Sequence, residues 1–384
     1  MVSDIHDTIS RKGILTQECA EDRSNDSPKH QIVWEGNASM RSRWLKVMTP
    51  LLSLLVVALV SSVSLAQPWT VGISNGFVGS EWRTQMIENF LKAAEEYQAR
   101  GLIDRVIVQS ADVDVNGQIQ QIRNMIAAGV DAIIINPNSQ TALDAVIEEA
   151  AMRGVIVIAV DQAVTAPDAL NVVIDQSEWA RISARWLAEQ LGGKGNIVVI
   201  NGIAGHPANE DRWDGASEVF ASYPGINVLT VTHANWDQAT GQQVMANLLA
   251  TYPNIDGVWV QDGMAEGALR ALLASGRPLP VMTGEARIGY MRLWNELRTS
   301  RGFNTIGVVN PPGIAVTGLH VAMQLLQGRE LRPEVLRGNT LFVPIPYAVT
   351  ADNFEEIWNA YKDYPDSYSL DGWLTEEEVL AYFQ

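Results

Sequence analysis

From Trp69 onward the chain alternates short apolar runs with amphipathic stretches, and this alternation leaves few folds open. The run Ala132-Ile133-Ile134-Ile135, reached through Gly129-Val130-Asp131, is nearly all apolar and predicts a strand buried on both faces. Similar runs stand at Thr70-Val71-Gly72-Ile73, Arg105–Val108, Val155–Val160 and Asn171–Ile174. A second series follows at Asn196–Ile200, Asn227–Val231, Gly257–Val260, Leu279–Thr283 and Asn304–Val309. Residues at helical spacing lie between them, among them Met86, Phe90, Ala94 and Tyr97, then Ile119, Ile122 and Ile126, then Leu143, Val146, Ile147 and Ala150. Strand–helix alternation with short crossovers predicts α/β architecture with doubly wound parallel sheet. Two series predict two similar lobes; ten strands in one open sheet is the less usual alternative.

The first unit is the most informative. After Ile73 a polar, glycine-rich stretch runs from Ser74 through Gly76, Gly79 and Ser80 to Trp82 and Arg83, read here as one loop before the helix. It leaves the carboxyl end of a strand, where open α/β sheets hold their ligands. Other polar residues follow strand ends in the same way. They are Asn136, Asp161 with Gln162, and Asp175 in the first series, and Arg212, Trp236, Asp262, Glu285 and Asn310 in the second.

The residue types suit a sugar. Flat indoles match its apolar C–H face, and Asp, Asn and Arg match its rim of hydroxyls, where hydrogen bonds involving a charge are the strong ones. Buried carboxylates need donors nearby, which Arg83 and Arg212 can supply. Each position also has a plainer reading. Asp161 and Asp175 can cap helices, Asn136 before Pro137 can be a turn residue, and Arg212 can pair with Glu210 or Asp214 on its own helix. His206 reads as an incidental loop residue, and most of the 12 tryptophans must be packing.

Ahead of this region, residues 1–39 are polar and show no apolar period. Arg41, Arg43 and Lys46, an apolar run from Leu51 to Val63, and Ser64-Leu65-Ala66 then make the pattern of an export signal. The run is short for a membrane-spanning helix, although an uncleaved anchor is the alternative. An export signal is not expected 39 residues in, so translation is expected to begin at Met40, with 1–39 an upstream extension, 40–66 the signal peptide and Gln67 the mature start. The single cysteine, Cys19, falls in that extension, so the mature chain is expected to carry no disulfide, no thiolate-held metal and no lipidated N-terminal cysteine. A formal net charge of -17 without a basic cluster argues against nucleic acid as a partner.

With these residues in place a resemblance can be stated. Val71-Gly72-Ile73-Ser74, Ile134-Ile135-Asn136-Pro137, Val157–Asp161, Asn201-Gly202-Ile203-Ala204-Gly205, Val244–Leu249 and Gly267–Leu272 resemble, in order, the periplasmic sugar-binding proteins of ABC importers, the ribose-binding type of periplasmic binding protein-like I fold. The resemblance covers residues 69–343. It implies two lobes joined by crossing hinge strands that close on a sugar, with 69–174 plus 310–339 as the first lobe and 175–309 plus 340–349 as the second. Residues 350–384 are then a helical extension, whose Thr375-Glu376-Glu377-Glu378 has the form of a capping box.

Carried over residue by residue, the resemblance implies ligand contacts at Ser74, Trp82, Arg83, Asn136, Asp161, Asp175 (near the hinge), Arg212, Trp236, Asp262, Glu285 and Asn310. Gln162 stands where ribose binders have arginine, and Arg83 is the candidate replacement. No cofactor and no catalysis are implied; the partners are a sugar and an ABC permease with its ATPase, the membrane being met only through the permease. A sugar-sensing module that presents its closed form to a receptor is the alternative. A DNA-binding regulator on the same core needs a helix-turn-helix, of which residues 1–39 show no pattern. A glycosidase pair at Asp161 and Asp175 is the enzymatic reading, against which no nucleophile–base constellation stands out.

Overall fold

The structure, a computed structural model, describes residues 67–384. The expected extension and signal peptide lie outside the described residues. Buried apolar runs become strands β1 (Trp69–Asn75), β2 (Ile103–Ser110), β3 (Ala132–Asn136), β4 (Ile156–Val160) and β5 (Ala169–Val173). Between them lie helices α1 (Glu81–Ala99), α2 (Val115–Ala127) and α3 (Asp144–Met152). All five strands pair in parallel in the order β5-β4-β3-β1-β2.

Helix α4 (Gln176–Gln190) opens the second series: β6 (Lys194–Asn201), α5 (Pro207–Ala221), β7 (Gly225–His233), α6 (Gln238–Thr251), β8 (Gly257–Val260), α7 (Ala265–Ser275), β9 (Val281–Met282) and α8 (Ile288–Arg301). Its parallel sheet has the order β7-β6-β8-β9. Two separate doubly wound sheets therefore replace the single-sheet alternative.

The chain then returns. After β10 (Gly307–Val308), helix α9 (Ile314–Leu326) packs on the first sheet, where Gly318 lets its backbone approach Val160, Ile158 and Ile134. Strands β11 (Leu336–Arg337) and β12 (Thr340–Phe342) follow, and β12 lies parallel to β5. This corrects the expected boundary at 340: Thr340–Phe342 completes the first sheet, and the chain leaves it only afterwards. Strand β13 (Ala348–Val349) pairs antiparallel with β10, and helix α10 (Phe354–Tyr361) docks Phe354 on Trp294 of the second core, ring centroids 4.4 Å apart.

The last stretch crosses back again. Helix α11 (Glu376–Leu380), begun by the capping box at Thr375 and Glu378, buries Val379, and Phe383 after it, in the first core.

Candidate functional site

The loop after β1 is shorter than expected. Ser80 accepts a hydrogen bond from the Arg83 amide as N-cap, so Glu81, Trp82 and Arg83 form the first turn of α1 rather than loop. A rigid helix end thus aims the indole and the guanidinium. Together with strand-end residues from both sheets they line one cavity of about 230 Å³. That is below the roughly 300–1,000 Å³ of drug-sized sites, and suits a single small ring or polyol.

Asp161 sits at the end of β4 with φ of 66°, a left-handed conformation uncommon for a residue with a side chain. Its carboxylate is buried, and its side-chain contacts are long: Gln176, Gln162 and Asn310 each reach it at 3.4 Å. Burial pushes its pKa up, while the guanidinium groups of Arg83 and Arg212 oppose the rise. Its long contacts leave the carboxyl group with spare capacity to accept hydrogen bonds.

Arg83 is buried and bonds Asn75 at 2.8 Å; burial lowers its pKa to about 10, against the pull of Asp161. Arg212, on α5, does not pair along its own helix. It reaches Gln176 at 2.7 Å and Asp262 at 2.6 Å, and lies 4.1 Å over the ring of Trp179. Trp82 gives its indole N–H to the Asn310 carbonyl at 2.8 Å. Trp236, at a positive φ of 52°, gives its own to Gln261 at 2.9 Å and rests where a Cβ on Gly202 would overlap it. Both indoles are therefore fixed by their edges.

Eight expected residues thus share this cavity: Trp82, Arg83, Asp161, Arg212, Trp236, Asp262, Glu285 and Asn310. Three do not line it. Ser74 is buried beneath, bonded to Gln121 at 2.8 Å; Asn136 is buried beside it, accepting from Gln162 at 3.0 Å; Asp175 caps α4 through the Glu178 amide at 2.9 Å. Glu285 lines the wall, and its carboxylate is already held by the Gly263 and Glu266 amides, Gln238 and Arg287.

Sequence reasoning missed Phe77, Glu81, Gln238, Arg287 and Ser369 in the lining. Arg287 had a signal, since it follows β9 just beyond Glu285. It bonds Glu81 across to α1 at 3.0 Å and pairs with Glu266. His206 is not incidental either: its ring meets Trp236 edge-on, with centroids 4.9 Å apart.

Burial, helped by Arg83 and Arg212, lowers the His206 pKa to about 3, and burial lowers that of His320 to about 4. An unfolded histidine takes up its proton near pH 6.5, so acidification below that value favours the unfolded chain until the folded rings titrate. At pH 5 this costs at most about 2 kcal/mol per ring. Asp161, Glu285 and Asp371 have raised values, mainly through burial, and act in the opposite sense. The test is therefore a difference between proteins. His206→Gln should narrow the loss of urea stability between pH 7 and pH 5, and an unchanged loss would contradict this account.

The sequence profile described as periplasmic binding protein domain matches residues 71–330. A xylitol-binding protein of Mycolicibacterium smegmatis is 33% identical over 255 residues, covering 65% of this chain and 70% of that protein. A crystal structure of an ABC transporter solute binding protein from Thermobispora bispora matches with a TM-score of 0.73 at 28% identity, covering 82% of this chain and 94% of that one. A solute binding protein from Actinobacillus succinogenes with bound D-allose matches with a TM-score of 0.64 at 26% identity, covering 75% and 99%. The chain belongs to the periplasmic binding protein family.

Proposed function

We propose that this protein is the extracytoplasmic solute-binding subunit of an ABC importer, and that it holds one monosaccharide or polyol between its lobes. The observation that carries the reading is Asp161, a buried carboxylate with only long internal contacts and two guanidinium groups beside it. Sugar hydroxyls supply the short donors it lacks, while spare N–H groups of Arg83 and Arg212 serve hydroxyls as acceptors. Trp82 and Trp236 offer apolar faces for the ring, and the relatives named for xylitol and allose point to the same ligand class.

Trp82 and Arg83 come from the first lobe and Arg212, Trp236 and Asp262 from the second, so a bound solute stabilises the closed arrangement by touching both. The closed form then docks on a permease. Catalysis is not part of this reading: of the two carboxylates in the enzymatic alternative, Asp161 lines the cavity, while Asp175 does not line it and caps α4.

A thermal-shift screen of the protein against pentoses, hexoses and polyols tests the proposal. A ligand at a hundredfold excess over its dissociation constant adds about 2.7 kcal/mol of stability. A response to sugars or polyols is expected. A response confined to amino acids or other non-sugar solutes would overturn the ligand class.

A further inference from the structure

The C-terminal stretch beyond the matched region enters the cavity. Ser369 is one of its lining residues, and both polar groups of its backbone are held by one buried side chain of α1. The Ser369 amide donates to Gln85 Oε1 at 2.9 Å, and Gln85 Nε2 donates to the Ser369 carbonyl at 2.9 Å. On the other side the strip is laced to the start of α8. Ile288 donates to the Tyr368 carbonyl at 3.0 Å, Leu370 donates to the Ala286 carbonyl at 2.8 Å, and Arg287 faces Ser369 in an antiparallel bridge.

Asp371 then accepts from the Gly313 amide at 2.8 Å and from Asn89 at 2.7 Å, which ties the strip to the first lobe. A segment held on both sides is pre-organised, so contacts it makes with a ligand need little further ordering. Among the described residues, the Ser369 hydroxyl has no hydrogen-bond partner, which leaves it free to give and accept.

We propose that the segment Tyr368–Leu370 is a wall of the ligand site, with Ser369 as its contact residue and as a limit on ligand size. This rests on the reading of the cavity as a sugar site. The Ser369 hydroxyl meets a hydroxyl of the bound ring. The neighbouring Glu81–Arg287 ion pair, 3.0 Å long, stands at the same end and closes it further. A second ring extending that way would have to displace a backbone bonded to both lobes, so single rings and short polyols are admitted and disaccharides are not.

Titration calorimetry on the intact protein with xylitol, D-ribose, D-allose and maltose tests this. The unaltered protein should bind at least one of the first three and not maltose. Ser369→Ala should weaken that ligand about fivefold, the equivalent of one neutral hydrogen bond. Ser369→Trp should abolish binding with an unchanged urea midpoint. Affinities within twofold of the unaltered protein for both variants would overturn the proposal, and if Ser369→Trp does not fold, Ser369→Ala decides alone. Binding of maltose by the unaltered protein would also overturn it. No response to any of the four is a separate failure, that of the sugar reading itself.

Discussion

Asp161→Asn should weaken sugar binding about a hundredfold while leaving the protein folded. A hydrogen bond to a charged group contributes about 1.5–3 kcal/mol, and the carboxylate is placed to accept more than one. Asparagine keeps the shape and tolerates the positive φ of 66° that alanine would strain, so the change isolates the charge. One acceptor oxygen becomes a donor facing Arg83 and Arg212. The combined loss of about 3 kcal/mol corresponds to about a hundredfold in dissociation constant. Folding should survive because Arg83 keeps Asn75, and Arg212 keeps Gln176 and Asp262. Calorimetric titration beside urea denaturation checks both halves; unchanged affinity would remove Asp161 from the site.

Gly267→Ala should cost stability and affinity together. Gly267 lies on α7 against the start of α6: its amide donates to Gln238 Oε1 at 2.8 Å, and a Cβ there would overlap the Gln238 carbonyl oxygen. Alanine favours a helix by about 1 kcal/mol over glycine. The overlap, however, is with backbone, which cannot swing aside as a side chain does, and overpacking of this kind costs about 1–3 kcal/mol. Sterics should win. Because α6 starts directly after Trp236 and Asp237, and Gln238 also holds Glu285 at 2.8 Å, the displacement reaches the cavity wall. A lower urea midpoint with weaker sugar binding is expected; an equal or higher midpoint would show that the helices separate freely.

The architecture was legible because parallel strands buried on both faces carry a signal that survives without context. Ala132–Ile135 and Val157–Val160 are such runs, and their ends locate the edge where Asp161 and the later polar residues emerge. The expected residues that do not line the cavity are held elsewhere for local physical reasons. Ser74 and Asn136 lie within strands, at the penultimate position of β1 and the last of β3, and both are buried against neighbouring amide side chains instead of lining the cavity. Asp175 is consumed by a cap, the plainer of its two readings.

Thr340–Phe342 gave no hint of its lobe, since three residues of strand can pair with either sheet and only tertiary packing chooses. Ser369 was beyond reach for the same reason. Nothing in Ser367-Tyr368-Ser369-Leu370 marks a binding residue until Gln85, 284 residues away, takes hold of its backbone.

The most direct test of the account is the stoichiometry and affinity of a sugar on the intact protein, measured by isothermal titration with xylitol, D-ribose and D-allose. The account predicts that at least one of them binds at a single site per chain, and that this binding is lost in Asp161→Asn. Heat of binding for none of the three, or binding that persists undiminished in that variant, would contradict it.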